Sequence, residues 1–528
     1  MKLGKKRSLL VLFTAALALR LVGIKLGLPS ETGGLTTLHP DESVTFYSLE
    51  RMKPSKLDFF PGDAGSWGTL HLYTVGALVK ALDFTGFVKL GDRKKLKESL
   101  GEVDKMYLSG RALSALFGAL AVVALYFIGG LFLSERAAFF SALLLVFSQV
   151  PMMVSYLVKP DSMMIFLALV SVYFSLRLLR EPSTACYSLA GLFLGLAFIT
   201  KYSAALLVFF PLVAHSYHAY GARDPFLGVR KLFIFALSGL AAVLVCTPSL
   251  FLRTGDTLTV MFSNLERGAV GGGGFKTYVD YFFLVLPAAF GWFLLPLGLA
   301  GLARWVRGPF GEKTFIAIYC VLFMVWAGAS SIPVITYTLP LIPFVCLAAG
   351  DLAHSIFDKR WGRLLVAAVL AQSMLSTLYV RHNYISGYTI KEADLWLRNN
   401  VPPGSIVAVP KNDTWTPFAI RRHSGFLKIM EGVSPQSSIS DGVAALGRIY
   451  SKADYVVLSE REYGFVKSVP EKYPAECAAL EEIFSGTTEI KRFQSKLPFY
   501  AMPFNSGKIG QQLNFMNPDI LVLKVAHP

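Results

Sequence analysis

Charge is scarce in this 528-residue chain. Charged residues make up 16% of it, where soluble domains carry roughly a quarter. That deficit, with 54% hydrophobic residues and a mean hydropathy of +0.51, excludes a soluble enzyme and a disordered or fibrous chain. Cysteine is scarce too. The five (Cys186, Cys246, Cys320, Cys346 and Cys477) are odd in number and widely spaced, so neither a disulfide framework nor a metal-binding spacing is visible. There is no Walker loop, no Gly-rich dinucleotide fingerprint and no nucleophile elbow. Their absence argues against an ATP-driven transporter and against a nucleotide-sugar enzyme of the Rossmann type. The charge that is there leans positive, to a net +16. In so apolar a chain this points to cytoplasmic loops and anionic membrane lipids as partners, not to nucleic acid.

What is abundant is long apolar runs. A bilayer core needs about 20 apolar residues per helix. Runs of that kind fall near 8–28, 108–131, 136–155, 162–180, 186–200, 203–220, 231–251, 281–303, 314–331, 334–354 and 363–381. The pattern predicts a polytopic α-helical membrane protein with about eleven transmembrane helices. The fifth run is short and reads as tilted or broken at its outer end. The first has a basic start (Lys2, Lys5, Lys6, Arg7) but no small-residue cleavage site after it, so it reads as an uncleaved anchor. Lys and Arg crowd alternate loops, among them Arg177 and Arg180, Arg304, Arg307 and Lys313, and Lys359, Arg360 and Arg363. The bias places the N-terminus in the cytoplasm of a cell (inner or plasma) membrane protein and the C-terminal part outside.

Two domains are expected: a transmembrane domain over 1–381, with a long outer loop at 29–107, and an extracytoplasmic α/β domain over 382–528. The tail reads as a helix at Asp394–Asn400, strands at Ser405–Val409, Asp454–Ser459, Glu489–Phe493 and Asp519–Val525, and a helix near Pro474–Phe484. The run Gly271–Gly274 reads as a mobile loop, a candidate lid.

Three motifs on the expected outer side can carry chemistry. His39-Pro40-Asp41-Glu42 sets two adjacent carboxylates at the membrane face, which is costly without a role. It reads either as an N-cap, with Asp41 opening a helix near Ser43, or as a carboxylate base with a neighbour for a hydroxyl or a cation. Lys159-Pro160-Asp161 sets another carboxylate at a helix top beside a cation, again either a cap or a functional group. Thr200-Lys201-Tyr202 offers an ammonium that either snorkels to the interface or binds phosphate. Arg111, at the outer end of the second span, is a headgroup anchor or a second phosphate contact. His71, in Trp67-Gly68-Thr69-Leu70-His71, is a ligand or an interfacial side chain. Asn412-Asp413-Thr414 matches a glycosylation sequon, a pattern frequent by chance. Two carboxylates with several cations suit a phosphate-bearing lipid and a hydroxyl that must be deprotonated.

The order of these motifs resembles the GT-C superfamily of polytopic glycosyltransferases that use lipid-phosphate-linked sugars, in particular the bacterial and archaeal branch of the protein O-mannosyltransferase and aminoarabinose transferase group. The matching stretches are His39–Glu42, Lys159–Asp161, the Gly-rich span Gly191–Lys201 followed by Tyr202 where the family has Gly, the start at Arg111, and Tyr337–Pro340 up to Pro343. The likeness covers about residues 8–380. Where relatives carry Pro-Pro-Leu in the first loop, this chain reads Gly68-Thr69-Leu70-His71.

The resemblance implies an inverting transfer from a polyprenyl-phosphate sugar to a hydroxyl on a lipid, glycan or protein acceptor. Asp41, Glu42 and Asp161 would be the catalytic carboxylates, with Asp41 as base. Lys159, Lys201 and Arg111 would bind the donor phosphate, and His39, His71, Tyr202 and Tyr337 would contact acceptor or donor. No cofactor is compelled; the resemblance leaves a divalent cation open, with its ligands unknown. The alternative is a transporter that flips a lipid-linked sugar without cleaving it. A scaffold whose outer domain binds a partner would leave Asp41 and Asp161 unexplained.

Overall fold

The computed structural model describes residues 4–62, 67–222, 225–268, 274–328, 334–386, 389–410, 427–432, 439–467, 470, 473–495 and 517–526. Gly271–Gly273 and the sequon at 412–414 lie outside the described residues. The chain divides into two compact units. The first is Met1–Ile24, Val44–Val88 and Met106–Thr377; the second is Lys25–Ser43, Lys89–Lys105 and Leu378–Pro528. The second unit thus takes in two pieces of the 29–107 loop along with the tail.

The first unit is helical. Among the described residues four helices are long and apolar enough to cross a membrane, or six if each of two bent pairs counts as one span. The expected count of eleven is higher because several apolar runs are broken or short. The run at 136–155 forms Glu135–Val146 and Gln149–Ser155, bent by 56°. The run at 281–303 belongs to Phe275–Phe290 and Leu294–Val306, bent by 109° at Gly291, whose φ of +80° suits glycine. The fifth run is the helix Thr184–Thr200. It ends where Lys201 turns extended, and a 3-10 stretch, Tyr202–Val208, follows before Phe209–Ala222. The glycines of that fifth helix have a packing reason. A Cβ on Gly191 or Gly195 would collide with the backbone of Phe235 or Gly239 in the neighbouring helix Pro225–Val245. Small residues one turn apart let two membrane helices approach to backbone contact.

The second unit carries a five-stranded sheet in the order β2-β1-β3-β5-β4. Strands β1 (Ile406–Pro410), β2 (Lys428–Gly432) and β3 (Tyr455–Ser459) run parallel, while β5 (Ile520–Val525) is antiparallel to both β3 and β4 (Thr487–Phe493). Ala408, Val456, Leu458, Leu521 and Leu523 pack on Val443, Leu446, Leu480 and Ile483 from helices Ile439–Gly447 and Pro474–Ser485, forming its core. In the segment 25–43, Gly27 (φ +59°) turns the chain so that Leu38 N–H donates to its carbonyl at 3.3 Å.

Candidate active site

Asp161 begins the helix Asp161–Leu178 and is fully buried. The cap position is Pro160, one residue earlier, and Asp161 Oδ1 accepts a 2.6 Å charge-assisted bond from Lys201 Nζ. The capping reading of Asp161 is therefore corrected, and so is the snorkelling reading of Lys201. The break at the end of helix Thr184–Thr200 explains the meeting: Lys201 leaves the helix in an extended conformation (φ −157°, ψ 124°). A carboxylate removed from water is tolerable when paired and hydrogen-bonded in this way.

His71 is on the first turn of helix Thr69–Phe84 and is buried, which corrects the interfacial reading. Its ring bonds the Val158 backbone and feels the charge of Asp161. Burial is the largest influence and lowers the imidazole pKa to about 4, against the raising effect of Asp161. His71 is therefore neutral at physiological pH, and Nε2 has no hydrogen-bond partner among the described residues. A neutral ring with an open nitrogen is equipped to take or give a hydrogen bond to a ligand.

Val158 gathers three elements one residue before Lys159. Its carbonyl accepts from Thr45 Oγ1 at 3.1 Å, its side chain packs where a Cβ on Gly110 would sit, and its backbone holds His71. Lys159 Nζ lies 5.9 Å from the centroid of the Trp67 ring, which meets His71 edge-on at 6.4 Å. Gly68 N–H donates to the Thr200 carbonyl at 3.2 Å, and any Cβ there would overlap the Ile199 carbonyl. Trp67 and Gly68 thus lock the His71 segment to the chain that presents Lys201. Their role was missed in the sequence; a glycine between an aromatic and a helix start was the available signal. Tyr337 lies within electrostatic reach of Asp161 and Lys159. Tyr202 packs on Phe198, with ring centroids 5.3 Å apart. Arg111 is buried and donates from Nη1 to the Ile24 carbonyl at 2.7 Å, so the headgroup-anchor reading is corrected.

The other acidic motif belongs to the second unit. The helix starts at Pro40, a favoured first position, so Asp41 sits inside the first turn of Pro40–Arg51 and is not its cap. Asp41 N–H donates to His39 Nδ1 at 3.3 Å, and His39 is buried. Glu42 is fully buried and accepts a 2.6 Å bond from Thr37 Oγ1. Asp41 is half-buried. Two carboxylates in a first turn are favoured by the partial positive charge of the helix N-terminus. Asp41 and Asp161 lie in different compact units. Among the described residues no group of three His, Cys, Asp or Glu side chains is placed to hold a metal ion.

A family model described as dolichyl-phosphate-mannose-protein mannosyltransferase matches residues 103–251. ArnT from Cupriavidus metallidurans, solved with undecaprenyl phosphate bound, shares the architecture with a TM-score of 0.52 at 14% identity, over 97% of each chain. AglB, the oligosaccharyltransferase of Archaeoglobus fulgidus, solved with an inhibitory peptide and a dolichol-phosphate, gives a TM-score of 0.47 at 12% identity over 91% of this chain and 72% of its own. The protein O-mannosyltransferase complex of S. cerevisiae bound to its sugar donor gives 0.32 at 17% identity, over 53% and 36%. No curated protein matches the chain. The likeness to ArnT is one of fold, and the apolar helices fit a polytopic membrane protein.

Proposed function

We propose that this protein transfers a sugar from a polyprenyl-phosphate-linked donor to a hydroxyl acceptor at the outer face of a cell membrane, with inversion at the anomeric carbon. The observation that carries the reading is the buried Asp161–Lys201 pair, with neutral His71 beside it and Lys159 on the adjoining turn. A cation-rich cluster around one carboxylate suits a leaving group that departs as an anion. The acceptor oxygen attacks the anomeric carbon and the carbon–oxygen bond to the phosphate breaks. The phosphate oxygen keeps the electron pair, and the acceptor proton passes to a base.

Asp41 is that base, a contribution of roughly 10²–10⁴-fold. Its half-buried place in the first helical turn, between buried His39 and Glu42, favours the assignment. Lys159, Lys201 and Arg111 stabilise the phosphate as its charge develops. Asp161 fixes Lys201. His71 Nε2 and the Tyr202 and Tyr337 hydroxyls orient sugar or acceptor groups. No protein acid is required, because a lipid phosphate leaves without a proton. Positioning of both substrates in line supplies much of the remaining acceleration.

The lysine-rich N-terminal end faces the cytoplasm, the C-terminal sheet domain is extracytoplasmic, and the acceptor is a lipid, a glycan or a protein. The test is mass spectrometry of envelope glycans and lipids after deletion of the gene. A sugar is expected to vanish from one bearer and to return with the wild-type gene but not with Asp41→Asn. Full restoration by Asp41→Asn would remove Asp41 from the mechanism.

A further inference from the structure

Outside the Asp161 cluster, the first unit holds a cavity of about 440 Å³ lined by Arg51, Asp58, Phe60, Gly62, Arg253, Asp256, Thr259 and Val260. Its volume lies within the range of small-molecule sites, about 300–1,000 Å³. We propose that this cavity is a carbohydrate subsite that holds neutral sugar units of the acceptor, which makes the acceptor a glycan-bearing molecule. The proposal rests on the glycosyltransferase reading and narrows its acceptor class.

Three observations support it. The first is the charge of the lining. Arg253 donates to Asp256 at 2.7 Å, stands 3.7 Å from Asp58 and covers the Phe60 ring with its guanidinium at 4.7 Å. With Arg51, two guanidiniums face two carboxylates, and the lining is neutral. A phosphate or carboxylate ligand finds no net attraction, because Asp58 and Asp256 offset the two guanidiniums. A polyol would find both donors and acceptors, in the fork geometry that pairs with neighbouring hydroxyls. A neutral lining also separates this cavity from the cation cluster at Lys159 and Lys201, which suits the donor phosphate.

The second is preorganisation. The segment from 53 to 62 is a shaped loop. Lys53 N–H donates to the Asp58 carbonyl at 2.8 Å and Asp58 N–H to the Lys53 carbonyl at 3.1 Å, Leu57 holds a left-handed φ of 57°, and Asp58 Oδ1 accepts the Phe60 N–H at 3.2 Å. Gly62 (φ +75°) lets the Arg51 side chain lie where a Cβ would stand. Non-glycine residues in that backbone region are uncommon and persist where surrounding contacts hold them, often at ligand sites.

The third is attachment to the candidate active site. Tyr73 Oη donates to the Phe59 carbonyl at 3.1 Å, tying one wall to helix Thr69–Phe84. Thr69 Oγ1 donates to the Cys246 carbonyl at 2.6 Å and meets Thr247 Oγ1 at 3.2 Å, tying the chain that leads to Arg253. Both walls therefore hang on the turn that carries His71 beside Asp161.

Saturation-transfer NMR on the full chain in phosphatidylcholine–phosphatidylglycerol nanodiscs tests this without turnover. The probes are the methyl glycosides of mannose, glucose, galactose and N-acetylglucosamine, with mannose 6-phosphate and inorganic phosphate as counter-probes. At least one neutral glycoside should bind with a dissociation constant on the order of millimolar. Thr259→Trp, an exposed position that fills the cavity, should weaken it by about tenfold or more. Arg253→Lys, which keeps the charge and loses the fork, should weaken it several-fold. Asp161→Asn should leave binding intact, so a failure of transfer chemistry is distinguishable from a failure of this site. Silence of all four glycosides would overturn the proposal. So would undiminished binding in Thr259→Trp, displacement by inorganic phosphate, or displacement by a polyprenyl-phosphate sugar.

Discussion

Lys201→Met is the most informative single change, because the structure fixes its consequence. The substitution keeps the length and apolar stem of the side chain and deletes the ammonium 2.6 Å from Asp161 Oδ1. Asp161 is fully buried and the Lys201 side chain is only 20% exposed, so water replaces little of what is lost. Removing one partner of a buried pair typically costs about 3–5 kcal/mol, since the remaining charge is stranded. Asp161→Asn should cost less, because a neutral amide strands no charge and the lysine keeps a partly open path to water. The double change Asp161→Asn/Lys201→Met should melt above Lys201→Met alone, with a coupling energy of about 1–3 kcal/mol between the two sites. The assay is thermal or denaturant unfolding of the four purified proteins in one detergent. A Lys201→Met protein that melts with wild type, or effects that simply add, would refute the claim that the pair is buried and mutually dependent.

Acid should destabilise the first unit through His71. Its folded pKa is about 4, below the usual value of about 6.5 for a free imidazole. The unfolded chain therefore binds the extra proton first as pH falls from 7. The loss reaches about 2 kcal/mol at pH 5, and His71→Asn should remove it from a pH series of melting curves. Glu462 has the opposite sign. Burial raises its carboxyl to about 7, so the folded second unit holds a proton that the unfolded chain releases. Its stability should fall as pH rises from about 4.5 through 7, and Glu462→Gln should flatten that slope. Gly68→Ala should cost more than about 2 kcal/mol and impair transfer, because the new methyl overlaps the Ile199 carbonyl; a variant with wild-type melting and turnover would show that the Trp67–Gly68 docking is dispensable.

What the sequence made legible follows from period and spacing. The tail strands read at Ser405–Val409 and Asp519–Val525 stand at Ile406–Pro410 and Ile520–Val525, because short β-branched runs bounded by turn residues carry a local signal. Strand β2 and helix Ile439–Gly447 were not read: Lys428–Gly432 mixes charge and glycine with its apolar residues, and the parallel pairing to β1 is a long-range choice. In the helical unit, apolar runs announced spans but not their breaks. Gly291 and the extended Lys201 are decided by tertiary packing that composition does not encode. Asp161 and Lys201 were singled out by type and position. Their direct pairing was not legible, since 40 residues separate them. Val158, an ordinary valine in the sequence, proved to be the point where three elements meet His71 and Lys159.

Purified protein in phospholipid vesicles loaded with polyprenyl-phosphate sugar, labelled in the sugar ring, separates transfer from transport. Cleavage is expected: label appears on an acceptor hydroxyl while free polyprenyl phosphate accumulates, and neither occurs with Asp41→Asn. Intact lipid-linked sugar crossing the bilayer, with no polyprenyl phosphate released, would contradict it and establish a transporter.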